Sequence, residues 1–163
     1  ATGTFVARSF SQPLYETPVV FATVTTVNEP DAVTTRLRKV TVKGFEVGMQ
    51  EQESRPQKHL AESIDYVAFE PSFGVVNGLR YEVGLMAGGV TDKPKTLLYQ
   101  SSYAQAPLFL ADMQTTNGSD SANLRWKNRN EASLQLWVSE ETSKDAELAH
   151  TSELVGYLVA AKD

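Results

Sequence analysis

The chain contains two copies of one sequence pattern, and this internal repeat constrains the fold more than any other feature. Segments 18–54 and 107–143 align at a constant offset of 89 residues, without a gap. The identical positions are Pro18/Pro107, Ala22/Ala111, Thr26/Thr115, Asn28/Asn117, Asp31/Asp120, Arg36/Arg125, Glu51/Glu140 and Ser54/Ser143. We therefore predict two similar structural units within one chain.

A shorter motif, H-x-x-E-x-x-x-Y, closes each copy at an offset of 91 residues. Its members are His59, Glu62 and Tyr66 in the first copy and His150, Glu153 and Tyr157 in the second. The chain has 2 histidines in total. The repeat therefore makes the second histidine the counterpart of the first, not its catalytic partner.

Short segments rich in Val, Thr, Phe and Tyr, separated by turn sequences, predict β-strands in both copies. Between the copies, the dipeptide Asn77-Gly78 is a strong hairpin signal. No long segment has helical periodicity. We predict an all-β, antiparallel β-sandwich with a first repeat at 1–74, a connecting hairpin at 75–94 and a second repeat at 95–163. Because one such repeat buries little surface alone, we expect the two repeats to form one compact unit.

Composition argues against several classes of partner. The net charge of -5 lacks the basic character that nucleic-acid binding requires. No run approaches the roughly 20 apolar residues of a membrane-spanning helix. The chain has 0 cysteines, so disulfides and thiolate metal sites are excluded. Since the sequence begins ATGTFVARSF, without methionine, we expect a processed form or an excised module.

Alternation along the predicted strands assigns side chains to faces. The predicted core residues are Val33, Thr35, Leu37, Phe45, Val47 and Met49 in the first copy and Ala122, Leu124, Trp126, Leu134, Leu136 and Val138 in the second. The same alternation turns Arg36, Arg38, Arg125, Lys127 and Trp137 away from the core. An outward tryptophan on a sheet suits stacking against a sugar ring, although a neighbouring loop could equally cover it.

The spacing of His59 and Glu62 places both side chains on one face only if the segment is helical. On a strand, residues three apart point to opposite faces, so we predict no metal site and no cofactor here. Calcium bound near Asp31 or Asp120 is kept as an alternative. Glu62 and Tyr66 share a face and lean toward the core, where a carboxylate needs a partner.

Two hypotheses follow for the repeated polar residues. They form either a hydrogen-bonded latch that closes one end of the sandwich or a groove that binds a polar ligand. The residues concerned are Arg36, Glu51, His59, Glu62 and Tyr66 in the first copy and Arg125, Glu140, His150, Glu153 and Tyr157 in the second.

The run R-x-R-x-V-T-x-x-G-F, from Arg36 to Phe45, followed by the closing H-x-x-E-x-x-x-Y-V-A, resembles the H-type lectin domain. More closely, the chain is similar to tandem H-type-lectin-like repeats of secreted bacterial proteins, often found beside polysaccharide-degrading domains. The matching positions are Arg36, Arg38 and Phe45, of which the arginines suit ligand binding. The second copy departs from this motif, with Ser133 and Leu134 in place of Gly44 and Phe45.

This resemblance implies a secreted, noncatalytic carbohydrate-binding module, with an appended catalytic domain and assembly into homo-oligomers as further expectations. The candidate ligand-binding residues are the ten polar residues above together with Arg38, Trp126 and Trp137. One alternative is a protein-interaction or adhesion module without sugar binding. Another is a small polysaccharide lyase, in which a His-Tyr pair beside an arginine moves a proton next to a uronate carboxylate. Glu51 and Glu62 are the corresponding pair for glycoside hydrolysis.

Overall fold

A computed structural model describes residues 4–162, so residues 1–3 and 163 at the ends of the predicted repeats lie outside it. Residues 4–162 form strands and irregular segments without a helix. The strands are β1 (Val6–Ser9), β2 (Val19–Val24), β3 (Val33–Thr41), β4 (Gly44–Glu51), β5 (Ile64–Phe69), β6 (Ser72–Val76), β7 (Leu79–Leu85), β8 (Lys95–Leu98), β9 (Leu108–Met113), β10 (Ala122–Lys127), β11 (Ser133–Glu140) and β12 (Val155–Lys162). Across these residues there is accordingly no helix with the length and apolarity to cross a membrane.

The strands form antiparallel sheets that pack as a β-sandwich, which confirms the predicted fold class. The sheet orders are β1-β4-β3 and β2-β5 in the first half, and β10-β11-β8 and β6-β7-β12-β9 in the second. Strands β1 to β5 thus pair with one another as β8 to β12 do. The strand bounds recur at the offsets seen in the sequence, since β4 at Gly44–Glu51 corresponds to β11 at Ser133–Glu140.

The two halves have separate apolar clusters built from the alternating positions of their strands. Every second residue of β11 is fully buried, as Leu134, Leu136 and Val138 all have 0% exposure. The corresponding residues of β4, Phe45, Val47 and Met49, are each 3% exposed. The predicted core faces of these two strands are therefore confirmed.

The hairpin between the copies forms at Asn77 and Gly78, as the dipeptide predicts. Both residues have positive φ angles, 51° and 76°, which a two-residue turn of this kind requires. Strand β6 begins at Ser72, and β7 pairs with β12. The hairpin therefore extends a sheet of the second half and does not stand between the halves as an independent connector.

Polar side chains of the second half attach to the backbone of β2 in the first half. The Gln114 side chain accepts a hydrogen bond from the Val20 amide at 2.8 Å and donates one to the Val20 carbonyl at 2.9 Å. Asp112 Oδ2 accepts from the Ala22 amide at 3.0 Å. These bonds satisfy backbone groups of β2 on the edge that β5 does not occupy, and they hold the halves together.

Candidate functional site

In the second half, the repeated motif forms a buried polar cluster that we call the second cluster: Glu140, His150 and Glu153. His150 Nδ1 lies 2.7 Å from Glu140 Oε1, and Nε2 lies 3.2 Å from Glu153 Oε1. Glu153 is 0% exposed. Its carboxylate also accepts hydrogen bonds from Thr115 Oγ1 and from two backbone amides of the loop after β9, at residues 117 and 118.

Hydrogen bonding controls the charge state of the second cluster. Burial opposes ionisation of Glu153, but the donors from His150, the Gly118 amide and Thr115 outweigh it and lower its pKa to about 2. Burial likewise opposes the charged imidazolium of His150. The bonds and charges of Glu153 and Glu140 outweigh this effect and raise the pKa of His150. Hydrogen bonding thus favours the charged forms of both Glu153 and His150.

Arg36 of the first half completes the second cluster from across the molecule. Its guanidinium donates to the carbonyl oxygens of Asp120 at 2.7 Å and Gly118 at 2.9 Å, and it lies 3.6 Å from Glu153 Oε1. Burial lowers the pKa of Arg36, and the charge of Glu153 opposes that change. Arg36 lies on the face of β3 that points away from the core of the first half, as predicted. The residue is nevertheless 3% exposed because the second half covers it.

In the first half, the equivalent residues Glu51, His59 and Glu62 form, together with Glu29, what we call the first cluster. Glu62 Oε1 lies 3.4 Å from His59 Nε2 and accepts from the amide of Asn28 at 2.6 Å. A hydrogen bond from Thr26, together with backbone amides, lowers the pKa of Glu62. His59 Nδ1 lies 3.3 Å from Glu51 Oε1 and 3.7 Å from Glu29 Oε2, without hydrogen-bond geometry to either.

Two sequence-based expectations about the repeated polar residues are wrong. His59 and Glu62 precede β5 and lie in an irregular segment, so strand geometry does not separate them and their side chains converge. Arg125 is exposed on β10 and takes no place in a latch equivalent to that of Arg36.

The two tyrosines also lie apart from the histidines. Tyr66 is 40% exposed, and its ring packs 4.8 Å from that of Phe45. The Tyr157 hydroxyl donates to buried Glu82, and burial together with this bond raises the pKa of Tyr157. The Tyr157 hydroxyl is therefore engaged at Glu82, and the His-Tyr pair that the lyase hypothesis requires is not assembled at His150.

A cleft of about 740 Å³ separates the two clusters at the junction of the halves. Arg36 and His59 line it, together with the ring of Phe5 and polar residues of both halves; the other polar residues are Thr4, Gln50, Gln57, Lys58, Thr116, Asn117 and Ser119. The motif carboxylates are not among the residues that line this cleft. Of the predicted ligand-binding residues, Arg36 and His59 are thus the two that reach this cleft.

The tryptophans of β10 and β11 lie on opposite faces of their sheet. Trp137 is paired with Arg125 across the strands, on the face away from the core, as predicted. Trp126 is paired with core residue Leu136, yet it is 47% exposed, so its predicted burial is wrong. It lies near the end of β10, where the Arg129 guanidinium covers its ring at 4.7 Å.

The remaining predicted arginine, Arg38, interacts with the start of the described chain. Its guanidinium lies 3.9 Å from the centroid of the Phe5 ring, and its Nε is 2.6 Å from Glu46 Oε2. Lys127, the counterpart of Arg38, lies 5.7 Å from the centroid of Trp137. Each half therefore has a cation against an aromatic ring at the corresponding place on its outer face.

Sequence analysis missed several polar residues that matter. Glu82 and Gln114 are 1% and 2% exposed and satisfy groups far away in the sequence. Burial raises the pKa of Asp112 to about 7. Glu29 places a third carboxylate beside His59. It was missed because its counterpart in the repeat is Gly118, and a search for identical positions does not find positions at which the copies differ.

These observations define a class: an all-β sandwich chain with two buried carboxylate-histidine clusters and, on an outer sheet face, a partly buried tryptophan beside two exposed cations. No protein-family model matches the chain, and no solved structure does. The chain is similar to Halomucin of Haloquadratum walsbyi (strain DSM 16790 / HBSQ001), with 29% identity over 157 residues that cover 94% of this chain. It spans 2% of the length of that protein.

Proposed function

We propose that this chain is a noncatalytic carbohydrate-binding module that binds acidic polysaccharide through the outer face of β10 and β11. The observation that carries this proposal is the pairing of Trp137 with Arg125, beside Lys127, on a face away from the core. An indole ring offers an apolar surface to the C–H face of a pyranose. The two cations suit a uronate or sulfate group on the same sugar chain.

The chemistry of the clusters favours this location over the motif residues. The carboxylates of Glu140 and Glu153 already accept several donors inside the protein, so sugar hydroxyls would have to displace buried bonds. Arg125 and Lys127 are exposed and need no such exchange. The latch hypothesis therefore describes the second cluster better than the groove hypothesis does.

The location that we propose is extracellular. Halomucin is by its name a mucin, and mucins act outside the cell, so the similarity supports this placement. The small share of Halomucin that the chain spans suits a module of a longer protein. The resemblance of the Arg36–Phe45 run to H-type lectin repeats supports sugar binding, and we retain the family assignment as part of the proposal.

Isothermal titration with acidic and neutral polysaccharides tests the proposal directly. Polygalacturonate and alginate are expected to bind, and dextran is expected to bind at least 10-fold more weakly because it lacks charge. Removal of an aromatic ring that stacks on a nucleic-acid base costs about 1–3 kcal/mol. By analogy, Trp137→Ala should weaken sugar binding by roughly 10-fold or more.

Trp126→Ala is the matched control, because it removes the same side chain from the opposite face of the same strand pair. Binding should survive in this variant and fall in Arg125→Ala. Equal loss in Trp126→Ala and Trp137→Ala would place the sugar elsewhere. Absence of binding to every acidic and neutral glycan would exclude the proposed function.

A different surface favours the second candidate function, a protein-interaction module. Four apolar residues lie on the outer face of the β6-β7-β12-β9 sheet, and each is between 46% and 57% exposed: Val76, Leu79, Leu108 and Leu110. An exposed apolar patch of this kind typically marks an interaction site. If it joins two copies, light scattering will give twice the chain mass, and Leu108→Lys but not Leu98→Lys will restore the monomer.

A further inference from the structure

The nitrogen Nδ1 of His59 is a buried polar atom that lacks a hydrogen-bond partner among residues 4–162. The side chain is 3% exposed, so water does not readily satisfy this atom. It faces two carboxylate oxygens, Glu51 Oε1 at 3.3 Å and Glu29 Oε2 at 3.7 Å. An unsatisfied nitrogen between two carboxylates is costly for a protein unless something else occupies the space between them.

Two of the distances among these three atoms, 3.3 Å and 3.7 Å from His59 Nδ1, are close to the spacing of ligands around a small dication. Ligands bound to zinc at about 2.0–2.1 Å in tetrahedral directions lie roughly 3.4 Å from each other. The three groups Glu29, Glu51 and His59 each offer an atom within 4.8 Å of the others. One imidazole nitrogen with two carboxylate oxygens is a ligand set that zinc and similar transition metals accept.

Neighbouring polar groups hold the side chains of Glu29, Glu51 and His59 in position, as outer-shell residues do for the ligands of a metal ion. On the far side of the ring, Nε2 lies 3.4 Å from Glu62, the carboxylate-imidazole arrangement that orients a metal-binding histidine. Glu51 Oε2 accepts from the amide of Gln57 at 2.7 Å, and Glu29 Oε2 accepts from the amide of Leu60 at 2.7 Å. The side chain of Glu29 is 27% exposed, which leaves a route of entry.

The second cluster provides an internal comparison within the same chain. There, His150 Nδ1 makes a 2.7 Å bond to Glu140, and the position of Glu29 is taken by Gly118. A Cβ at Gly118 would lie 2.3 Å from His150 Cε1, so no side chain fits beside that ring. Arg36 brings a further positive charge to Glu153, whereas its counterpart Arg125 is exposed on β10 and takes no such place at the first cluster.

We propose that Glu29, Glu51 and His59 form a site for one divalent transition-metal ion of the zinc class, with Nδ1 of His59 as the nitrogen ligand. The dication supplies to the first cluster the positive charge that Arg36 supplies to the second. The sequence argued against a metal held by His59 and Glu62. The proposed site instead combines His59 with Glu29 and Glu51. It involves none of the residues proposed for sugar binding.

Calorimetric titration of the chelator-stripped full chain with ZnCl₂ tests the proposal. One zinc per chain is expected, together with a rise in Tm, because a ligand that binds the folded state stabilises it. CaCl₂ should bind at least 100-fold more weakly, since calcium prefers six to eight oxygen ligands. Glu29→Gln should weaken zinc binding by at least 10-fold, and its folding can be checked by circular dichroism because the residue is partly exposed.

His150→Asn is the matched control for Glu29→Gln and should leave zinc binding unchanged. The chain has 2 histidines, so their two imidazoles are separable in a nitrogen-15 NMR spectrum of the unmodified chain. Zinc should shift the Nδ1 resonance of His59 and leave His150 unchanged. If either variant unfolds, this spectrum of the unmodified chain still decides the question. Zinc on His150, unaltered binding in Glu29→Gln, or no zinc bound by the stripped chain would overturn the proposal.

Discussion

Replacing Glu153 by glutamine tests the interpretation of the second cluster as an ionised brace. The pKa of Glu153 falls from an ordinary value of 4.5 to about 2 in the folded chain. At about 1.4 kcal/mol per pH unit, this difference corresponds to about 3 kcal/mol of stability at neutral pH. Glutamine has the shape of glutamate, but its amide presents hydrogens to His150 and Arg36, which are donors themselves. We therefore expect Glu153→Gln to lose about 3 kcal/mol at pH 7.

Urea denaturation measures this loss. With an m value of about 2 kcal/mol/M, the unfolding midpoint should fall by about 1.5 M. The 2 tryptophans of the chain, Trp126 and Trp137, both belong to the second half, so their fluorescence reports directly on the affected region. Circular dichroism gives the transition of the whole chain for comparison.

The pH dependence of the loss provides an independent check of sign. Because the folded pKa is depressed, the contribution of Glu153 is complete above the unfolded value of 4.5 and disappears as the pH falls through about 2. The difference between the wild type and Glu153→Gln should shrink to about half by pH 3. Glu62→Gln is the control. It should destabilise the chain less than Glu153→Gln does, because the guanidinium of Arg36 lies beside Glu153.

Two results would refute this interpretation. A loss below about 1 kcal/mol at pH 7 would mean that the buried bonds to Glu153 have no net value, as happens for some buried ion pairs. A loss that stays constant from pH 7 to pH 3 would mean that shape, not charge, explains it.

Three further predictions concern single positions. Asp112→Asn should stabilise the chain by about 1–2 kcal/mol at pH 8 and have little effect at pH 4. The reason is that burial raises the pKa of Asp112 to about 7, so its cost appears as the pH rises; a urea series that shows the same gain at both pH values would contradict this. Gly118→Ala should destabilise the chain by about 2 kcal/mol or more, because its Cβ would lie 2.3 Å from His150 Cε1, and an unchanged Tm would show that the ring moves freely. Leu136→Ala should cost about 3 kcal/mol, whereas Leu98→Ala, at a residue 72% exposed, should cost under about 0.5 kcal/mol in the same denaturation assay.

The fold was predictable because its signals are local or repeated. Alternation fixes Phe45, Val47 and Met49 on one face, and the Asn77-Gly78 dipeptide fixes a turn, so neither feature depends on distant residues. The recurrence of the pattern at a constant offset then gave the same assignment twice. Trp126 was misplaced because alternation gives the face of a side chain but not how well that face is covered near the end of a strand, where this residue is 47% exposed.

The clusters were predictable in membership but not in geometry. Similarity between the copies identified Glu51, His59 and Glu62 as one set, and the structure brings their side chains together. The similarity between the copies could not show that Arg36 contacts the second half, because a sequence repeat does not indicate which copy a side chain contacts. The role of Glu29 was hidden for the opposite reason, since it arises where the copies differ.

The bonds that Arg36 makes across the junction end on backbone carbonyl oxygens of the loop after β9. Gln50 likewise donates to the Ser119 carbonyl at 2.6 Å. Every amino acid carries this oxygen, so substitutions at Ser119 or Asp120 can change the side chains without removing the bonds. Gly118 is the exception, because His150 leaves no room there. A library randomised at residue 119 could thus vary the wall of the cleft while the junction between the halves stays intact.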